Sequence, residues 1–203
     1  YYYKEDGTPA TDEWLWVEVL DQEGNVIEYN WKYFTPEGVS IDQLYRENGN
    51  TWLSQDGPYD NYYKGFWDHP DNEYTYYFRE DSGSMVTGWQ YINDHWYFCR
   101  DTGTMVDVGG FAWVPVLTGG HAWKYFGTDG INDERFYTNE LGWVWLSLEG
   151  PYEGYHRGWW TDPANGQIYY FRTTSGTRVH GFQFIDGDWR YFREGTGTQA
   201  FGW

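Results

Sequence analysis

Aromatic side chains are the residues of this sequence whose type and spacing suit them to chemistry. The chain holds 15 Trp, 21 Tyr and 12 Phe among 203 residues, which together are 24% of the total. The faces of these rings carry negative charge density, so several rings together can hold an organic cation. Exposed rings can also stack on sugar faces, with Asp and Asn side chains bonding the hydroxyls. The rings therefore indicate recognition of a small ligand, and they leave cation and sugar both open.

Catalytic and metal-binding patterns are weak by comparison. The acidic clusters, such as Asp186-Gly187-Asp188, lie at predicted turns, where acids commonly bond the local backbone. The five His are scattered, without a pair at metal-ligand spacing. Glycoside hydrolysis needs a pair of acidic residues. The chain contains two similar segments offset by 93 positions, and they do not share such a pair, because Asp68 of the first corresponds to Thr161 of the second. We predict no catalytic residue, no metal site and no cofactor.

The strongest organising feature is a repeat with an offset of 93 positions. Residues 52–96 align with 145–189, and 22 of the 45 aligned positions are identical. The shared letters are mostly aromatic residues, Gly and Pro. Such self-similarity predicts a stacked array in which each unit leaves an aromatic face for its neighbour to cover. Grooves between units are then the expected binding sites.

A shorter unit of about 20 residues recurs inside the long repeat. It consists of an aromatic run, a polar turn with Gly, a small residue, and Gly followed by an aromatic residue, as in 76–89. Short aromatic runs bounded by Gly, Asp, Asn and Ser favour strands and tight turns, so each unit is predicted to be a β-hairpin. No stretch holds a helical period over three turns, and residues 40–48 are expected to form a short turn at most. The predicted fold class is therefore all-β, a solenoid of tandem β-hairpins.

The repeat suggests one elongated module covering residues 1–203. We divide it into a first unit at 1–30 and two long blocks at 31–122 and 123–203. Each block carries a longer inserted segment, at 35–66 and 127–158, which lengthens hairpins, caps a groove or forms a contact surface.

Composition excludes several function classes. The net charge of −18 repels nucleic acid and anionic membrane surfaces. No apolar segment reaches 18 residues, so membrane insertion is not expected. The single cysteine, Cys99, allows no internal disulfide, and we interpret it as a small hydrophobe. The chain opens in mid-unit without Met, which suggests a piece of a larger protein.

Two stretches resemble the cell-wall-binding or choline-binding repeats of Gram-positive surface proteins and lysins. They are 88–98, Gly-Trp-Gln-Tyr-Ile-Asn-Asp-His-Trp-Tyr-Phe, and 181–192, while 84–89 matches the family's Met-x-Thr-Gly-Trp element. Similar repeats occur in glucan-binding domains and in clostridial toxins. The resemblance implies a left-handed hairpin solenoid with ligand sites between successive hairpins. It also implies a secreted or cell-surface location.

In choline-binding members of this family, a quaternary ammonium lies among two Trp and an aromatic residue of the next repeat, often with a Met. Carried over residue by residue, the resemblance assigns a first cage to Trp89 and Trp96, completed by Met105 and by Phe111 or Trp113. A second cage would hold Phe182 and Trp189, with Arg178 and Arg190 nearby as cations that would fill or repel it. Related spacing marks two half-sites. These are Trp67 with Tyr76, and Trp160 with Tyr169. Trp31, Trp123, Tyr77 and Tyr170 are expected to be scaffold.

Three functions compete. The favoured one is a non-catalytic module that anchors a larger protein to choline-decorated teichoic acid. The others are a glucan-binding module and a protein-binding adhesin region that uses the inserts. Gly202-Trp203 would leave an uncovered ring, and we expect that face to allow an end-to-end homodimer.

Overall fold

Every regular element of the described chain is a β-strand. The computed structural model describes residues 2–201, and within that range it contains 18 strands and no helix. The strands are β1 Glu13–Leu20, β2 Val26–Phe34, β3 Ser40–Ile41, β4 Gln43–Glu47, β5 Asn50–Ser54, β6 Gly65–Asp68, β7 Thr75–Phe78, β8 Gly88–Ile92, β9 His95–Cys99, β10 Gly110–Pro115, β11 His121–Phe126, β12 Asn132–Asp133, β13 Arg135–Thr138, β14 Val144–Ser147, β15 Gly158–Thr161, β16 Ile168–Phe171, β17 Gly181–Ile185 and β18 Asp188–Phe192.

The strands pair as small antiparallel hairpins between neighbours in the sequence. The pairs are β1 with β2, β4 with β5, β6 with β7, β8 with β9, β10 with β11, β13 with β14, β15 with β16, and β17 with β18. The short strands β3 and β12 add a third strand to β2 and β11. The predicted all-β class and the hairpin unit are confirmed, while the handedness of a solenoid stays a prediction.

The expectation for residues 40–48 was wrong. The segment forms β3 and β4, and Gln43 to Glu47 pair in register with Asn50 to Ser54. Asn48 and Gly49 both have positive φ, at 50° and 80°, which is the geometry of a tight hairpin turn. Both inserted segments fold the same way, because β13 and β14 make the matching hairpin in 127–158.

The contacts divide the chain into two compact units. The first comprises 1–88 with 99–105, and the second comprises 89–98 with 106–203. The division proposed from the sequence period stays a prediction, and its boundaries at 30/31 and 122/123 fall inside β2 and β11. The end-to-end contact expected at Gly202-Trp203 lies outside the described residues.

Successive hairpins of a unit are joined by one backbone hydrogen bond that recurs with the sequence period. In the first unit the Met85 N–H donates to the Thr51 carbonyl at 2.6 Å. In the second unit the Arg178 N–H donates to the Val144 carbonyl at 2.7 Å, with both partners shifted by 93 positions. The long repeat therefore extends to backbone hydrogen bonding as well as to the amino-acid sequence.

Six aromatic runs place their last ring in the interior. Because side chains alternate between the two faces of a strand, the side chain two positions earlier is expected to face the same way, and the one between them the other way. The inward rings, with exposed fractions between 0 and 9%, are Phe34, Phe78, Phe98, Phe126, Phe171 and Phe192. Small aliphatic side chains such as Val106 and Val179 complete these clusters.

Two lysines occupy inward positions of the same alternation. Lys32 is 2% exposed and Lys124 is 0% exposed. The Lys32 ammonium donates to the backbone carbonyls of Gln55 and Asp60, and Lys124 donates to those of Leu148 and Glu153. Each lysine therefore holds the loop that follows the inserted hairpin of its own unit. Burial lowers the pKa of Lys32, and it lowers the pKa of Lys124 to about 8.

Cys99 is fully buried, in agreement with its interpretation as a small hydrophobe. Burial raises the pKa of its thiol to about 12, so the nucleophilic thiolate is scarce at neutral pH. Residues 2–201 contain no helix long and apolar enough to cross a membrane. Within the same range, no three His, Cys, Asp or Glu side chains are grouped so that they could hold a metal ion.

We predict that Lys124→Met lowers the free energy of unfolding by about 2–4 kcal/mol at pH 7. The substitution leaves two part-buried loop carbonyls without their lysine donor, and each orphaned group costs about 1–3 kcal/mol when water does not replace the donor. Urea denaturation followed by circular dichroism measures the change. Lys64→Met at an exposed lysine is the control, expected to stay within about 0.5 kcal/mol.

The wild-type chain and Lys124→Met together also test the protonation state of the buried Lys124 ammonium. Between pH 8 and 10.5 the unfolded chain keeps a proton on Lys124 that the folded chain has lost, so this group makes stability rise with pH. The wild-type chain should therefore gain stability relative to Lys124→Met across that window. A constant difference from pH 7 to 10.5 would contradict the account.

Candidate functional site

Five half-exposed aromatic rings surround an open cavity of about 550 Å³ in the first unit. We call it the first aromatic pocket, and its lining residues are Trp16, Trp31, Tyr45, Glu47, Trp52 and Tyr62. Glu47 is the one charged side chain among them. A cavity lined by ring faces with a single carboxylate suits a small cation that carries apolar groups.

Strand register places four of these rings. Trp16 of β1 lies opposite Trp31 of β2, and Tyr45 of β4 lies opposite Trp52 of β5. Ring centroids are 5.7 Å apart in the first pair and 6.0 Å apart in the second. Directly opposed side chains on one face of a hairpin come this close in any antiparallel pair.

The two pairs are joined by a stacked contact between hairpins. The Trp31 and Tyr45 centroids lie 5.4 Å apart with an interplanar angle of 23°. Tyr62 completes the wall, with its ring centroid 5.9 Å from that of Trp52. Its hydroxyl accepts a hydrogen bond from the backbone N–H of Trp31 at 3.1 Å. The Trp52 indole N–H donates to the Ser82 carbonyl at 3.2 Å, which fixes the orientation of that ring. These contacts and hydrogen bonds fix the rings that line the pocket.

The electrostatics of the first aromatic pocket are negative. Burial raises the pKa of the Tyr45 phenol, and the charge and hydrogen bond of Glu47 raise it further. For Tyr62, burial raises the pKa, the bond from Trp31 lowers it, and the charges of Glu28 and Glu47 raise it. These shifts show that carboxylates face the phenols of the wall.

A second copy of the ring arrangement lies in the second unit. We call it the second aromatic group, and its members are Trp113, Trp123, Tyr137, Trp145 and Tyr155. The stacked pair recurs, with Trp123 and Tyr137 5.6 Å apart at 18°. The Tyr155 hydroxyl accepts a hydrogen bond from the backbone N–H of Trp123 at 3.1 Å, as the Tyr62 hydroxyl does from Trp31.

Trp89 and Trp96, expected to form the first cage, do contact each other. Their centroids are 6.3 Å apart at 83°. Trp89 packs on the buried cluster that contains Phe98 and Phe126, and its indole N–H donates to the Pro115 carbonyl at 2.7 Å. The Trp89 ring is therefore partly buried against the hydrophobic core. Trp96 has further ring contacts with Tyr91 at 5.0 Å and with Tyr152 of the second insert at 6.0 Å.

The other residues expected in that cage lie in different surroundings. Met105 is 4% exposed in the interior of the first unit. Phe111 contacts Tyr125 and Tyr137, at 5.5 and 5.2 Å. Trp113 is 53% exposed and belongs to the second aromatic group.

The second expected cage is open to solvent. Phe182 is 58% exposed and Trp189 is 70% exposed, and they pair with Tyr191 and Phe184. The Arg190 guanidinium, expected to intrude on this cage, lies over the Trp159 ring instead, 5.1 Å from its centroid.

Arg178, the other cation expected near that cage, lies over Phe136 at 5.8 Å. Both guanidinium groups thus lie over rings of other hairpins, and these contacts do not involve Phe182 or Trp189.

The two expected half-sites form as ring pairs and are packed into hydrophobic clusters. Trp67 lies 5.6 Å from Tyr76, and Trp160 lies 5.5 Å from Tyr169. Tyr76 and Tyr169 are 7 and 6% exposed, so their rings face the interior.

None of the residues that line the first aromatic pocket was predicted from the sequence to be a ligand contact. Trp31 and Trp123 were expected to be scaffold, yet they lie at the centre of the two ring arrangements. The signal was present, because Tyr45, Trp52 and Tyr62 recur 92 or 93 positions later as Tyr137, Trp145 and Tyr155. Aromatic residues that keep their spacing through an inserted segment are candidates for one shared surface.

Comparison with known proteins agrees with the hairpin architecture. Residues 68–108 match the family model described as the choline-binding repeat. This segment carries a choline-binding repeat. The resemblance to that family, inferred from 84–98 and 181–192, is thereby confirmed.

Two solved structures from Streptococcus pneumoniae share the fold of this choline-binding repeat chain. Choline binding protein F is 21% identical, with a TM-score of 0.62, over 98% of this chain and 69% of that chain. CbpJ is 20% identical, with a TM-score of 0.57, over 98% of this chain and 69% of that chain.

A curated relative extends the likeness to another class of protein. Glucosyltransferase-S of Streptococcus mutans is 30% identical over 166 residues, which are 80% of this chain and 10% of that protein. The choline-binding repeat chain therefore spans about a tenth of the length of this relative.

We predict that Trp89→Ala lowers the free energy of unfolding of the choline-binding repeat chain by about 3 kcal/mol, since the ring packs on a buried cluster. Trp189→Ala, which removes the same ring from a 70% exposed position, should change it by less than about 1 kcal/mol. Urea denaturation of both variants measures the contrast. Equal losses would mean that Trp89 is not a core ring.

Proposed function

We propose that this chain is a non-catalytic attachment module that binds choline groups of a cell-wall polymer through its aromatic pockets. The observation that carries the proposal is the first aromatic pocket, where five rings and one carboxylate line an open cavity of about 550 Å³. The module would hold a larger secreted protein at the bacterial surface.

The physical basis is the attraction between a quaternary ammonium and ring faces. A trimethylammonium group has no hydrogen-bond donors, so it gains at a ring face while losing little hydration. Each cation–π contact is worth about 0.5–2 kcal/mol, and four rings together give a dissociation constant near the millimolar range. The net charge of −18 adds a long-range attraction for cations.

Weak single sites suit a polymer ligand. When several choline groups are linked along one chain, the second binding event occurs at a high effective concentration, and overall retention rises by orders of magnitude. Trp96, with Tyr91 and Tyr152 close to it, offers a further ring group in the second unit for the same polymer. The fold shared with choline binding protein F supports choline as the ligand class.

A second candidate function is binding of a glucan. It is supported by the similarity to Glucosyltransferase-S and by flat rings that are largely exposed to solvent, such as Trp189 at 70% exposure. Under this alternative, retention on an α-glucan gel would occur without any effect of choline.

We predict that millimolar choline shifts the indole N–H resonances of the first aromatic pocket and changes tryptophan fluorescence. Trp31→Ala should weaken binding at that pocket about tenfold or more, because it removes the ring that touches both pairs. Nuclear magnetic resonance titration of labelled protein measures both effects.

Trp143→Ala serves as the control, since it removes an indole that is 52% exposed in a hairpin turn of the second unit. Its choline response at the first pocket should equal that of the wild type. No change of any indole resonance up to 100-fold above the expected millimolar range, or ~0.1 M, would reject choline binding.

A further inference from the structure

The two ring arrangements are copies of each other, but the residues around their edges are not. Three carboxylates in the first unit have counterparts without charge in the second. Counted along the paired strands from the central rings, Glu18 corresponds to Pro115, Glu28 to Gly120, and Glu47 to Asn139.

Glu47 is the carboxylate that reaches the first aromatic pocket. It lies two positions after Tyr45 on β4, so both side chains project from the same face of the hairpin. It lines the cavity, and its charge acts on the phenols of both Tyr45 and Tyr62. A negative group at this position faces any cation that enters among the rings.

Asn139 takes the corresponding position in the second aromatic group and is engaged elsewhere. Its side-chain oxygen accepts hydrogen bonds from the N–H groups of Leu141 and Trp143, at 3.1 and 2.9 Å. These bonds hold the amide over the β13–β14 turn. The residue therefore contributes neither charge nor a free acceptor to the rings.

A second difference lies at the outer edge of each arrangement. In the first unit Trp16 stacks on Tyr29, whose hydroxyl donates to Glu18 at 3.1 Å. In the second unit Trp113 stacks on His121, with centroids 5.8 Å apart at 17°. The first edge is thus acidic, and the second carries an imidazole.

We propose that Glu47 makes the first aromatic pocket more selective for cations than the second aromatic group, in which the corresponding position carries the uncharged Asn139 and only the ring faces attract a positive charge. The two copies then differ in preference: the first strongly favours an ammonium, and the second also accepts uncharged ligands of the same shape. This inference rests on the proposed function.

The carboxylate is the reason for this difference. Dispersion, ring stacking and cation–π attraction act in both copies, because both have the same rings. A carboxylate beside the cavity adds a Coulomb attraction that only a charged ligand feels, and partial exclusion of water strengthens it. An isosteric neutral ligand therefore separates the two contributions.

The experiment compares choline with 3,3-dimethyl-1-butanol, in which a quaternary carbon replaces the ammonium nitrogen. Indole resonances of Trp52 and Trp145 report the two arrangements separately, after assignment through Trp→Phe variants. We expect the preference for choline over the alcohol to be about fivefold greater in the first pocket than in the second group.

A substitution without a change of shape completes the test. Glu47→Gln should lower the preference of the first pocket for choline to that of the second group and leave its affinity for the alcohol unchanged. The effect should shrink in 1 M salt, where screening acts over about 3 Å.

The outcomes separate this inference from the function on which it rests. Equal choline preference in both arrangements, or a preference that Glu47→Gln leaves unchanged, overturns the inference while leaving choline binding intact. Failure of both arrangements to bind either compound overturns the proposed function itself. Unchanged spectra of the variants before titration show that they are folded.

Discussion

Alternation of side chains along very short strands is the constraint on which the rest of this structure depends. In β11 the inward positions are Ala122, Lys124 and Phe126, and the outward positions are Trp123 and Tyr125. An aromatic run cannot bury all of its rings in such a strand. One set builds the interior, and the other set is left half-exposed, where it forms the walls of a pocket.

The buried lysines connect the interior to those walls. Lys32 holds the carbonyls of Gln55 and Asp60, which flank the loop leading to Tyr62. Tyr62 is also paired to Ser54 by an isolated bridge and receives the Trp31 N–H. The cost of burying an ammonium is offset by fixing a loop that would otherwise leave carbonyls unbonded. The loop in turn positions the ring that closes the pocket, and the second unit repeats the device with Lys124 and Tyr155.

Much of the architecture could be predicted from the sequence, because hairpins of this kind are specified locally. The aromatic runs and the Gly-containing turns between them indicated strands at β7, β9, β16 and β18, and the structure contains those strands. Residues 40–48 were misjudged because their letters carry no clear alternation, and pairing with Asn50 to Ser54 overrides the local preference.

The candidate binding residues were harder to predict. The resemblance to the choline-binding family predicted a cage at Trp89, but part of that ring packs on Phe98 and Phe126. The first aromatic pocket instead combines two hairpins and a loop, and only the fold shows that Trp31 and Tyr45 stack. Lysine at an inward position was not foreseen either, since an isolated buried charge is normally excluded and its carbonyl partners lie more than 20 residues away.

The central claim is that outward-facing rings of neighbouring hairpins together enclose a quaternary ammonium. Intermolecular nuclear Overhauser effects between the choline methyl protons and the indole protons of the protein test it most directly. The account predicts contacts to Trp16, Trp31 and Trp52 at the same time, because these rings line one cavity. Contacts confined to Trp189, or to no ring at all, would contradict it.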